Sequence, residues 1–138
     1  MADVNDKETR SFNMSRIRSK DTRPEILVRT FLFGKGFRYK LHDRTLPGTP
    51  DLVFPKYNSV IFVHGCFWHG HEGCKYFVMP KTRRKWWTDK INRTKQLDTE
   101  NIRRLRQLGW KIISVFECRL KPQSRERTLN QLAMRLLK

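Results

Sequence analysis

The chain has 138 residues, 38% of them hydrophobic, which is enough for one compact domain with one core. It carries 30 Lys and Arg against 13 Asp and Glu, a net charge of +17 spread through the whole sequence. That excess calls for a polyanionic partner, and its spread argues against one basic amphipathic helix lying on an anionic membrane, so nucleic acid is the expected partner. No apolar run approaches the ~18 residues of a membrane span, and the first residues lack the apolar stretch of a signal peptide, so the expected location is cytoplasmic. Structural disulfides are rare in that compartment, and Cys66, Cys74 and Cys118 read as metal ligands or buried thiols.

Residues 1–20 are expected to form a basic arm, with Phe12, Met14 and Ile17 as its apolar members and Arg16 among its cations, that orders on a phosphate backbone. Residues 21–138 are expected to be the folded domain. Thr22-Arg23-Pro24-Glu25 fits a capping box, and the helix that follows carries Ile26, Leu27, Thr30, Phe31 and Phe33 as its expected buried stripe, ending at Gly34-Lys35-Gly36. Phe37 to Leu41 alternates with period two and predicts a strand. After the Leu46-Pro47-Gly48-Thr49-Pro50 turn, Asp51 to Phe54 and Ser59 to Val63 predict the two strands of a hairpin. A long helix is expected from Thr82, as cap, to Leu108, with Trp87, Ile91, Ile102 and Leu105 on its core stripe. Asp98 falls in that stripe, seven residues from both Ile91 and Leu105 and so only about 20° from each around the axis. A carboxylate there needs a partner. Trp110 to Phe116 predicts the last strand, and Ser124 is expected to cap a final helix with Leu129, Leu132, Ala133, Leu136 and Leu137 on one face. The order predicts a three-layer α/β/α domain with a mixed sheet.

Three groups of residues carry chemistry. Cys66, His71 and Cys74 have spacings that suit a tetrahedral zinc site, with Cys118 at a strand end as the fourth ligand; His69 competes with His71 for the nitrogen position. Phe67 and Trp68 lie inside that loop, where a metal would hold them rigidly for insertion into a base stack. Asp51 at a strand edge, beside the end of the next strand, is a candidate divalent-cation ligand for phosphodiester hydrolysis. His69 and Asp98 form a candidate general base and its orienting carboxylate, with His64 and Glu25 as further candidates.

Pro50-Asp51, Phe62 to His69, His71, Cys74, Trp87, Asp98, Leu108-Gly109-Trp110 and Cys118, together with Asn13 to Ile17 and the Leu46-Pro47-Gly48 turn, resemble the very short patch repair (Vsr) endonucleases over essentially the whole chain. The resemblance implies a restriction-endonuclease-like core and a magnesium-dependent nick 5′ to the thymine of a thymine–guanine mismatch, left when 5-methylcytosine deaminates. It makes Asp51 the magnesium ligand with the Val63 carbonyl beside it, His69 the base, Asp98 its partner and His64 an auxiliary near the phosphate. Cys66, His71, Cys74 and Cys118 would hold zinc. Phe67, Trp68 and Trp87 would wedge beside the mismatch from the major groove, and Met14 would enter from the minor groove, with Arg16 beside it on the DNA. The expected partner is double-stranded DNA with a T·G mismatch, bound by a monomer. Phe62 and His64 stand where restriction endonucleases carry an acid and a lysine, and Gly70 and Glu72-Gly73 depart from the family's His-rich zinc loop. Two other readings remain in view: a sequence-specific restriction endonuclease of the same fold, and a non-catalytic zinc-dependent DNA-binding module.

Overall fold

A computed structural model describes residues 22–67 and 69–138; the expected arm, with Met14 and Arg16, and Trp68 lie outside the described residues. Among the described residues, one sheet holds β1 (Lys40–Leu41), β2 (Leu52–Phe54), β3 (Ser59–His64) and β4 (Lys111–Phe116) in the order β1-β2-β3-β4. The first two pairings are antiparallel and β3–β4 is parallel, so the sheet is mixed. The helices are α1 (Arg23–Gly34), α2 (Arg84–Gln107) and α3 (Arg125–Leu137), with short 3-10 turns at Pro55–Tyr57 and Glu117–Leu120.

The near-continuous apolar run of β3 is what a strand covered on both faces requires. Ile61 packs with Val28 and Leu32 of α1 and Leu129, Leu132 and Leu136 of α3. Val60 and Phe62 point the other way, into a cluster with Val53 and with Leu105 of α2. Two helices therefore cover one face and one long helix the other, giving the α/β/α layering. Leu52, Phe54, Ile61 and Ile113 are completely buried, each stabilising the fold by roughly 1.5–3 kcal/mol. The connection from β3 to the parallel β4 runs through α2, because a parallel pair cannot be joined by a tight turn. None of the described helices is long and apolar enough to cross a membrane.

Local structure departs from the periodicity in four places. The fully buried residues of α1 are Glu25, Val28 and Leu32; of the expected stripe, Leu27 and Phe31 pack half-buried against the core, whereas Ile26 and Phe33 are 40% and 53% exposed. The helix is rotated so that a carboxylate faces inward, and the Arg38 guanidinium covers the Phe33 ring at 3.9 Å. The expected strand from Phe37 shrinks to Lys40–Leu41, because Phe37 leaves the ladder to pack edge-on against Phe54 and the Tyr39 hydroxyl donates to the Arg29 carbonyl. The long helix starts at Arg84 instead of after Thr82: Arg83 takes a left-handed φ of 53°, which ends the preceding loop and leaves α2 with no side-chain cap. Ser124 does hold the N-cap of α3, but its hydroxyl donates to the Arg119 carbonyl and caps no helix N–H.

Candidate active site and metal centre

The turn before β2 and the end of β3 place the first group. Antiparallel pairing of Leu52 with Ile61 brings Asp51 alongside Val63, whose N–H donates to Asp51 Oδ2 at 2.7 Å. Glu25 reaches the same place from the first turn of α1, which is fixed by the Thr22 hydroxyl accepting the Glu25 N–H at 3.4 Å. The Glu25 carboxylate is 1% exposed, and its Oε2 accepts from Arg29 Nη1 at 3.0 Å and lies 2.8 Å from His42 Nε2. Burial pushes the Asp51 carboxyl up to about 7, and the neighbouring Glu25 charge adds to this against the pull of the Val63 N–H. A site that disfavours two adjacent carboxylates in this way becomes favourable once a cation sits between them.

The second group joins the end of β3, the loop after it and the middle of α2. His69 Nδ1 lies 2.6 Å from Asp98 Oδ2, with both side chains partly exposed. The His64 ring is buried between Phe62, Phe116 and His69, 4.1 Å from the His69 ring. Burial lowers its pKa to about 4, with the neighbouring His69 contributing. His64 is thus a neutral imidazole at physiological pH, able to donate or accept one hydrogen bond but not to act as a cation. The loop can approach α2 only because residue 70 is glycine: at φ +57° a Cβ there would sit 2.7 Å from Ile91 Cγ2 and 2.4 Å from Lys95 Cε. Asp51, Val63, His64, His69 and Asp98 line one cleft of about 630 Å³, with His42 and the exposed Arg44. Glu25 does not line it but meets Asp51 and His42, their ligand atoms all within 4.8 Å of one another.

The third group is Cys66, His71, Cys74 and Cys118, whose ligand atoms all lie within 4.8 Å of one another. The three cysteines form no disulfide. His71 stacks on Phe116 at 3.9 Å and its Nδ1 is 3.4 Å from Cys118 Sγ. The Cys66 N–H donates to Glu117 Oε1, tying the loop to the turn that carries Cys118. Burial pushes the Cys66 thiol up to about 12, so a cation is needed to displace its proton. Three convergent sulfurs and one imidazole fit a tetrahedral zinc ion. Spacing left His69 and His71 in competition; in the structure His71 joins the thiols and His69 faces Asp98.

The signature of the family described as DNA mismatch endonuclease Vsr matches residues 2–75. The chain is 46% identical over 134 residues to the type II nicking enzyme V.NmeAIP of Neisseria meningitidis, covering 96% of this chain and 94% of the relative. It is 46% identical over 121 residues to the DNA mismatch endonuclease Vsr of Escherichia coli, covering 88% and 77%. The type II nicking enzyme V.XorIIP of Xanthomonas oryzae matches at 45% over 120 residues, covering 87% and 88%. The chain belongs to the Vsr family of DNA mismatch endonucleases.

For a Vsr-family chain, the arrangement brings together Asp51, Val63, His64, His69 and Asp98 at one cleft, with Glu25 beside Asp51, and none of the four zinc-type donors lines that cleft. Phe67 packs edge-on against Trp87 at 5.4 Å, and Trp87 against the more exposed Trp86 at 4.7 Å. Trp87 is therefore the inner member of that pair and braces Phe67. Two residues of the cleft had no signal in the sequence. Arg44 is one of many cations. His42 follows a two-residue strand, and its contacts with the Asp51 carbonyl and with Glu25, 17 residues earlier, bring it to the site.

Proposed function

We propose that this Vsr-family endonuclease nicks one strand of duplex DNA 5′ to the thymine of a T·G mismatch arising from 5-methylcytosine deamination, acting as a monomer with a restriction-endonuclease-like core. The observation that carries this reading is the one cleft lined by Asp51, Val63, His64, His69 and Asp98, with the Glu25 carboxylate beside Asp51. Asp51, Glu25 and the Val63 carbonyl would hold a magnesium ion, which when bound supplies Lewis-acid stabilisation of the phosphate and its attacking water. With His69 Nδ1–H donating a hydrogen bond to the Asp98 carboxylate, Nε2 is left basic, ready to take a proton from water. The water oxygen forms a bond to phosphorus while the phosphorus–oxygen bond to the leaving sugar breaks, and the departing sugar oxygen takes a proton from solvent water. Neutral His64 offers a hydrogen bond to the phosphate, and Arg44 on the rim counters its charge.

Cys66, His71, Cys74 and Cys118 would hold zinc and fix the loop that carries Phe67 and His69, so one ion would brace both recognition and chemistry. Phe67, backed by Trp87, would stack beside an opened base pair, and a mispair opens more cheaply than a matched one. Relatives named as type II nicking enzymes support cleavage of a single strand. The test is a nicking assay on matched and T·G duplexes with each strand labelled separately. Mismatch-dependent cutting of the thymine strand is expected, and it should disappear in Asp51→Ala while mismatch binding persists. Equal cutting of the matched duplex would favour a restriction enzyme, and binding without cutting a DNA-binding module.

A further inference from the structure

We propose that His42 is the positioning residue that ties the Glu25 carboxylate to the strand carrying Asp51, and so sets the affinity of the shared cation site. The proposal rests on the reading that Asp51 and Glu25 hold a divalent cation. Glu25 is 1% exposed, so its charge must be satisfied by fixed donors. Two donors converge on Oε2, Arg29 Nη1 at 3.0 Å and His42 Nε2 at 2.8 Å, and together they fix the plane of the carboxylate. Arg29 stands one turn further along α1, so it orients Glu25 within its own helix and cannot set that helix against the sheet. His42 can, because it belongs to the connection between β1 and β2. Its main-chain N–H donates to the Asp51 carbonyl at 3.1 Å while its ring reaches Glu25. One residue thus bonds to both acidic positions, to one by backbone and to the other by side chain.

The backbone at His42 supports this. It adopts φ 49°, a left-handed conformation that non-glycine residues rarely take and that persists only where the surroundings enforce it. That turn is what returns the ring toward α1. The ligand atoms of Glu25, His42 and Asp51 all lie within 4.8 Å of one another, so a small change in the Glu25 carboxylate alters the space offered to the cation. Groups that orient ligands in this way change metal affinity by roughly 10- to 100-fold when removed.

The experiment measures Mn2+ binding to the full chain without DNA, by electron paramagnetic resonance, alongside nicking of a T·G duplex as a function of Mg2+ concentration. The proteins are wild type, His42→Ala, His42→Gln and Asp51→Ala. His42→Ala should weaken Mn2+ binding by roughly 10- to 100-fold and raise the Mg2+ needed for half-maximal nicking in parallel. His42→Gln, whose amide nitrogen can occupy the place of Nε2, should recover most of that loss, which a general packing defect would not allow. Wild-type Mn2+ affinity in His42→Ala, or a His42→Gln protein as weak as His42→Ala, overturns the role of His42. If Asp51→Ala also binds Mn2+ like wild type, the cation reading itself falls, and this proposal with it.

Discussion

His69 Nδ1 and Asp98 Oδ2 meet at 2.6 Å across 29 residues of sequence, one on a loop and the other on the inward face of a helix. The contact accounts for a carboxylate in an otherwise apolar stripe. On the proposed mechanism it also decides which imidazole nitrogen would act as base. His69→Ala should reduce single-turnover nicking below detection, whereas Asp98→Asn should cost roughly 10²- to 10⁴-fold, because the ring is still held but its proton is less well directed. An Asp98→Asn protein with the wild-type rate would remove Asp98 from the catalytic arrangement.

Gly70 sits next to His69 and against Ile91, one β-carbon short of a clash. Gly70→Ala should destabilise the protein by about 1–3 kcal/mol, through overpacking and the left-handed backbone together. The nicking rate should fall by more than that loss of folded protein explains, since the displaced loop carries His69. Urea denaturation and single-turnover rates at a temperature where the variant is folded check the two effects separately. Unchanged stability and rate would mean that the loop is free to shift.

Cys118 belongs to the turn after β4, far in sequence from its three partners. Cys118→Ser should lower zinc content from one ion per chain and lower the melting temperature, because binding energy at such a site is folding energy. Elemental analysis and calorimetry read both. Stoichiometric zinc in a Cys66→Ser/Cys118→Ser double variant would place the ion elsewhere.

At the proposed cation site, proton and cation would compete for Asp51, whose pKa is raised to about 7 first by burial and then by Glu25. Below about 7 the carboxyl of the cation-free protein is protonated and a binding cation must expel that proton; above it the carboxylate is already ionised. Divalent-cation affinity should therefore fall as pH drops through about 7 and level off above it. In the cation-free protein the sign for stability is the reverse. The contribution of the protonated carboxyl is complete below its unfolded value of 3.8 and is lost as pH rises through about 7. Calorimetric Mn2+ titrations in buffers of different ionisation enthalpy count the protons released. No proton release below neutrality would show that Asp51 is already ionised there.

Phe67 stands on the loop between two zinc-type ligands with Trp87 behind it. Phe67→Ala should weaken binding to T·G duplex by about tenfold, in line with ~1–3 kcal/mol for a base stacked on an aromatic ring. Salt-dependent binding to matched duplex should stay near wild type. Equal losses on both duplexes would make Phe67 a general contact.

Much of this site was legible because its constraints are local or periodic. Asp98 stood out by helix geometry alone, and the cysteines by spacing. Glu25 was visible as a capping residue, but the rotation of α1 that buries it was not, since large side chains such as Ile26 and Phe33 dominate the helical pattern while packing depends on the partner surface. The choice between His69 and His71 needed the loop conformation, which Gly70 and the left-handed backbone determine. His42 was illegible for a different reason: its role comes from a backbone angle and a contact between separate elements, and neither leaves a pattern in composition.

The parallel pairing of β3 with β4 has a consequence for the order of events in synthesis. Asp51, His64 and the first three zinc-type donors emerge from the ribosome well before β4 and Cys118. Until those last segments arrive, β3 lacks one neighbour and the thiol cluster lacks its fourth member. On the proposed mechanism, an incomplete nascent chain would hold most of the reactive side chains without their arrangement, and hydrolytic competence would wait until translation has passed the turn that follows β4.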